Sequence, residues 1–213
     1  MKLYTFWRSS AAYRAHIALN FKGIGAEPVP VHLRRHEQGA AAYLARNPQG
    51  LVPALELDDG ALIAQSLALI EYLEETHPQP ALLPREPLAR AQVRSLAYNI
   101  ACDIHPLNNL RVLQYLKQPL GHPQATIDSW YRHWIGVGFA GLEQLARRCS
   151  ADGRHLHGST VTLADVCLVP QVYNARRFDC DLTPYPTLVS IDAALSQLPA
   201  FAAAAPERQA DAE

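Results

Sequence analysis

Charge is scarce in this 213-residue chain and neither sign prevails: Lys and Arg number 19, Asp and Glu 20, together 18% of the residues. A formal net charge of -1 supplies no whole-molecule field for holding nucleic acid or an anionic bilayer. Long apolar runs are missing as well. The longest stretch free of Asp, Glu, Lys and Arg runs from Ala193 to Pro206 and is interrupted by Pro199, short of the roughly 20 residues that a transmembrane helix needs. Only Leu3 to Trp7 separates Lys2 from Arg8, which leaves no room for the apolar core of a secretory signal, so a cytoplasmic protein is expected. Cys102, Cys149, Cys167 and Cys180 form no Cys-x-x-Cys pair, so free thiols are expected rather than a zinc knuckle or a dithiol centre. No second ligand group stands near Cys102, Asp103 and His105, or near His155 and His157, so no metal is expected.

What is present is a 49% hydrophobic composition, in a chain long enough for one full domain or two modest ones with a large core. Residues 2–6 alternate as a strand. From Ala11 to Phe21, Ala11, Ala15 and Ala18, and Tyr13, Ile17 and Phe21, form helical stripes that end at Lys22-Gly23. Val29 and Val31 mark a second strand, Ala40 to Arg46 a helix, and Leu51 to Leu57 a third strand, in which Pro53 requires an edge or a bend. Asp58-Asp59-Gly60 signals a hairpin into Ala61–Ile63, and Ser66 opens a helix with Leu67, Ile70 and Leu73 inward, stopped by Pro78.

That β-α-β-α-β-β-α order ends in a segment with prolines at 78, 80, 84 and 87, which places a boundary near residue 84. Residues 1–84 and 85–213 are therefore read as two domains, the second all-helical. Its apolar stripes are Ala89, Val93, Leu96, Ala97 and Ile100, then Ile127, Trp130, Trp134, Val137 and Leu142. Thr162-x-x-Asp165 is a capping box that opens a buried helix. From Ala202 onward the sequence grades into a polar tail expected to fray.

This succession, with Pro53 early in the third strand and Gln65-Ser66 at the third helix, resembles the glutathione transferase family up to about residue 200. The segments RSSAAYRAHIALNFKG from Arg8, NPQGLVPAL from Asn47, QSLALIEYLEE from Gln65, CDIHPLNNLRV from Cys102 and LADVCLVPQVYNARRF from Leu163 are similar to its zeta class. The resemblance implies an α/β thioredoxin-like domain followed by an all-α bundle, a homodimer, and glutathione as cofactor. The class contains the glutathione-dependent maleylacetoacetate and maleylpyruvate isomerases, so it also implies cis–trans isomerisation with the glutathione thiolate as a recycled nucleophile. Two alternatives stay open. One is a general conjugating transferase with an apolar second site, and the other a glutathione-binding module without chemistry.

Each candidate residue has a physical reason. A cis Val52-Pro53 bond would turn the Val52 backbone outward to pair with an extended peptide such as glutathione. Ser66 at a helix N-terminus suits the γ-glutamyl carboxylate, with Gln65 adding an amide, although an ordinary helix cap reads the same way. By resemblance Gln38 contacts the glycyl end. A free thiol has a pKa of about 8.5, and a hydroxyl at the start of the first helix favours its anion. Ser9 matches the thiolate-bonding serine of the family, with Ser10 beside it; where the class has Ser-Ser-Cys-Ser, this chain has Ser9-Ser10-Ala11-Ala12, which removes one contact to the sulfur. A diacid held while its central bond rotates calls for planar, permanently charged donors, for which Arg8, Arg111 and Arg177 are the candidates. Surface or interdomain salt bridges are the alternative for each. His105 and Asn109, expected on one helix with Arg111, are candidates for contacting glutathione or substrate, or for a structural polar cluster.

Overall fold

The computed structural model describes all residues from 1 to 213. The opening alternation forms β1 (Lys2–Thr5), followed by α1 (Ser10–Lys22), β2 (Glu27–Pro30), a short α2 (Ala41–Leu44), β3 (Ala54–Glu56), β4 (Leu62–Ala64) and α3 (Ser66–Thr76). The order is the one read from the sequence, with two 3-10 turns added between β2 and α2. In the sheet, β2-β1-β3-β4, β1 runs parallel to β2 and β3 antiparallel to both of its neighbours. A parallel neighbour requires a crossover, which α1 supplies. β3 is shorter than the expected 51–57 because pairing begins at Ala54, opposite Tyr4, and Pro53 has no N–H for a ladder. The Val52-Pro53 peptide is cis.

Buried Ala12, Ala15 and Ala18 give α1 a small-residue face. Gly23 ends the helix in the left-handed region at φ 66, returning its N–H to the Asn20 carbonyl. Lys22 is fully satisfied in the interior: its ammonium donates to Glu74 Oε2 at 2.8 Å and to the His77 and Pro80 carbonyls at 2.7 and 2.9 Å. The same Glu74 oxygen accepts the Leu82 N–H at 2.9 Å. One buried ion pair thus ties the ends of α1 and α3 to the proline-rich segment.

The chain divides into one compact unit of 1–82 with 197–213 and a second of 83–196. The first division falls close to the expected boundary at 84, but assigning all of 85–213 to the helical domain needs correction at its far end. There α9 (Pro199–Ala204) packs on α1, and Asn20 Nδ2 donates to the Ala200 carbonyl at 3.2 Å. The tail expected to fray is also tied down. Asp211 Oδ2 accepts the Trp7 N–H at 3.0 Å, and Glu213 meets His32 at 2.7 Å. Two carboxylates in a polar tail find donors on this unit, which composition alone does not reveal.

The second unit is helical: α4 (Pro87–Tyr98), a π turn (Asn99–Ile104), a 3-10 turn (His105–Asn108), α5 (Leu110–Lys117), α6 (Gln124–Cys149), α7 (Leu163–Arg177) and α8 (Pro186–Leu195). Val93, Leu96, Ala97 and Ile100 are buried as expected, with Ala89 half-buried. The stripe expected on α6 is rotated. Its buried face is Ile127, Tyr131, Ile135, Phe139, Leu142 and Ala146, while Val137 is 54% exposed. Trp130 sits at the rim, where its indole N–H reaches the Leu107 carbonyl at 2.8 Å. Gly138 continues this face because a Cβ there would collide with the Ile104 side chain.

Candidate active site

Ser9 is the N-cap of α1, at φ -80 and ψ 115, and its Oγ accepts the Ala12 N–H at 3.3 Å. Capping uses an acceptor site and leaves the hydroxyl proton to donate elsewhere. Ser9 is half-buried, whereas Ser10, the first helical residue, is buried. The first turn carries no acidic residue that would repel an anion at the positive end of the helix. Arg8 is half-buried, with its guanidinium carbon 5.1 Å from the Trp7 ring. Tyr13 is 6% exposed and belongs to the packed interior.

A second helix N-terminus lies in the same unit. Ser66, the first residue of α3, is 5% exposed, and its Oγ accepts from Arg14 Nη1 at 3.2 Å. Arg14 is 2% exposed, a cation buried on the inner face of α1. The sequence reading passed over it, although an arginine at an otherwise apolar position of that helix was its visible signal. Gln65 precedes Ser66 at φ 73, a left-handed conformation that is strained for a side-chain-bearing residue. Its amide donates to Gln49 Oε1 at 2.6 Å, so Gln49 is a second residue not anticipated.

The loop before β3 is held from behind. The Leu51 carbonyl accepts the Tyr43 hydroxyl at 2.6 Å and Asn47 Nδ2 at 2.8 Å, which fixes the chain entering Val52 and Pro53. Gly50 adopts φ 61 against the Gln38 carbonyl, only 3.2 Å from where a Cβ would stand. Gln38 Oε1 is buried without a partner in the chain. These features fit an extended peptide with a carboxylate at one end: a buried cation and a helix N-terminus behind Ser66, a loop fixed from behind at Val52, and an unsatisfied side-chain oxygen on Gln38.

The remaining candidates lie on the second unit. His105, Asn109 and Arg111 do not share one helix, contrary to expectation, because the π turn and Pro106 break the chain between α4 and α5. Asn109 has extended backbone and caps α5, its Oδ1 accepting the Arg111 N–H at 3.2 Å. His105 is half-buried and Arg111 exposed. Arg177 ends α7, half-buried, with its guanidinium carbon 5.0 Å from the Phe178 ring. Its neighbour Arg176 is taken by the Asp192 carboxylate at 2.6 Å.

Residues 3–81 match the family model described as glutathione S-transferase, N-terminal domain. A probable maleylacetoacetate isomerase of Vibrio cholerae is 53% identical over 99% of this chain and 97% of its own length. A holo structure of a maleyl pyruvate isomerase, described as a bacterial glutathione S-transferase of the zeta class, superposes with a TM-score of 0.97 at 49% identity, covering both chains fully. The maleylacetoacetate isomerase of Methylobacterium extorquens AM1, solved with bound malonate and GSH, gives a TM-score of 0.96 at 42% identity, again over the whole of both chains.

Proposed function

Because the chain belongs to the glutathione transferase family, in its zeta class, we propose that it is a glutathione-dependent cis–trans isomerase of maleylacetoacetate or maleylpyruvate, acting in aromatic ring-cleavage catabolism. The observation that carries this reading is the near end-to-end likeness, at 53% identity, to a protein bearing an isomerase name. Glutathione, when bound, supplies a nucleophilic thiol that is returned unchanged.

The chain's own groups do the rest. The Ser9 hydroxyl and the N-terminus of α1 favour the thiol's anion, with Ser10 behind them. Ser66, backed by Arg14, holds the γ-glutamyl carboxylate; Gln65, Val52, Pro53 and Gln38 align the rest of the tripeptide, and His105 and Asn109 add contacts. Arg8, Arg111 and Arg177 bind the substrate carboxylates, and Arg8, next to Ser9, also offsets negative charge that develops on the substrate ketone. The cleanest test is the disappearance of maleylacetone with and without glutathione. Isomerisation to the fumaryl isomer only when glutathione is present supports the proposal. Accumulation of a glutathione adduct marks a conjugating transferase, and binding without turnover marks a module that lost its chemistry.

The same reading implies a cytoplasmic homodimer. In its favour, α4 and α6 border an open groove of about 580 Å³ that includes Pro87, Tyr98 and Leu145, and nearby Leu88 is 65% exposed. Sedimentation at micromolar concentration should give twice the chain mass; a monomer there contradicts the expectation.

A further inference from the structure

Of the two arginines that end α7, Arg176 is paired with Asp192, whereas Arg177 has no acidic partner in the chain. A ring and a nearby hydroxyl flank it instead. Its guanidinium carbon lies 5.0 Å from the Phe178 ring and close enough to the Tyr131 hydroxyl for its charge to pull that phenol's pKa down. The Phe178 ring in turn lies flat on Tyr131, with centroids 3.6 Å apart and planes 9° from parallel. Tyr131 is 2% exposed, and its backbone carbonyl accepts Asn108 Nδ2 at 3.4 Å. One buried residue of α6 therefore stacks on the ring beside Arg177 and bonds the turn that starts at His105 and leads into Asn109.

We propose that Tyr131 is a positioning residue for Arg177: its hydroxyl and its stack with Phe178 restrict the guanidinium to the plane in which it receives a substrate carboxylate. The proposal rests on the reading of Arg177 as a carboxylate-binding residue. A free arginine loses rotamer freedom on gripping a carboxylate, and one already restrained loses less. Burial pushes the Tyr131 hydroxyl up to about 12, against a pull downward from Arg177, so it stays a neutral phenol throughout the assay range. The effect should therefore not vary with pH between about 6 and 9.

The test compares wild type, Tyr131→Phe, Arg177→Ala and the double variant, with KM and kcat for maleylpyruvate and maleylacetone and with glutathione affinity by calorimetry. Arg177→Ala should lower kcat/KM for the diacid by about 10–150-fold, the range for losing a charged hydrogen-bond partner. Tyr131→Phe should show the same substrate pattern at smaller size, a KM raised about 3–10-fold, toward the low end for coupled neighbouring residues, with kcat and glutathione affinity within about twofold. In the Arg177→Ala background, Tyr131→Phe should add nothing. Multiplying effects in the double variant overturn the proposal and make Tyr131 a packing residue. An effect of Arg177→Ala without one of Tyr131→Phe overturns the positioning role alone, while no effect of Arg177→Ala removes the reading beneath it. Should Tyr131→Phe fold poorly, Phe178→Leu removes the stack and is expected to give the same pattern.

Discussion

Replacing Ser9 by Ala should lower kcat/KM for the cis-diacid by roughly 10–1000-fold, the scale for losing one donor to a developing or resident anion. Ala also removes the α1 cap, at a cost of about 1 kcal/mol, whereas Gly at an N-cap costs only a few tenths. Ser9→Gly therefore separates the two roles: activity should fall as far as in Ser9→Ala while thermal stability stays near wild type. The acid limb of the pH–rate profile should also move up toward a free thiol near 8.5. Wild-type turnover in Ser9→Gly would transfer the role to Ser10 or the backbone.

The largest expected loss of stability lies at Asp165. This carboxylate is 0% exposed; Oδ1 accepts the Leu156 N–H at 2.7 Å, and Oδ2 accepts the Thr162 N–H at 2.7 Å and the Thr162 hydroxyl at 2.9 Å. α7 already carries Pro170 in its interior, which leaves one helical hydrogen bond unmade, so its start relies on this cap. Asp165→Ala strands buried donors and should destabilise by about 3 kcal/mol, a Tm lower by roughly 6–12 °C in a chain of this size. Burial pushes the Asp165 carboxyl up to about 6 from 3.8, against the downward pull of its hydrogen bonds. The folded state then holds this proton more tightly than the unfolded chain, so the contribution of Asp165 to stability declines as pH rises from about 4 to about 6. The Tm advantage of wild type over Asp165→Asn should be greatest near pH 4 and level off above pH 6. An advantage that grows across that window contradicts the assignment.

Local pattern was enough for the first seven elements and for the starts of α1 and α7, because Ser9 and Asp165 act on backbone groups within a few residues of themselves. Contacts between distant parts of the chain were not legible. Arg14 acquires meaning only when α1 lies beside α3, and the 197–213 segment only when it meets α1 and Trp7. The break at 99–108 escaped notice because a π turn adds a residue without leaving a periodic mark. On α6, Trp130, Trp134 and Val137 suggested the wrong face, since large indoles serve at a rim as well as in a core, and Tyr131 lay hidden between them.

The most direct test of the central claim is the turnover of a cis-diacid in the presence of less glutathione than substrate, with free thiol and fumaryl product both quantified at the end. An isomerase that recycles glutathione converts all of the substrate and returns all of the thiol. Conversion that stops when glutathione is exhausted, with thiol lost mole for mole to an adduct, would contradict the account.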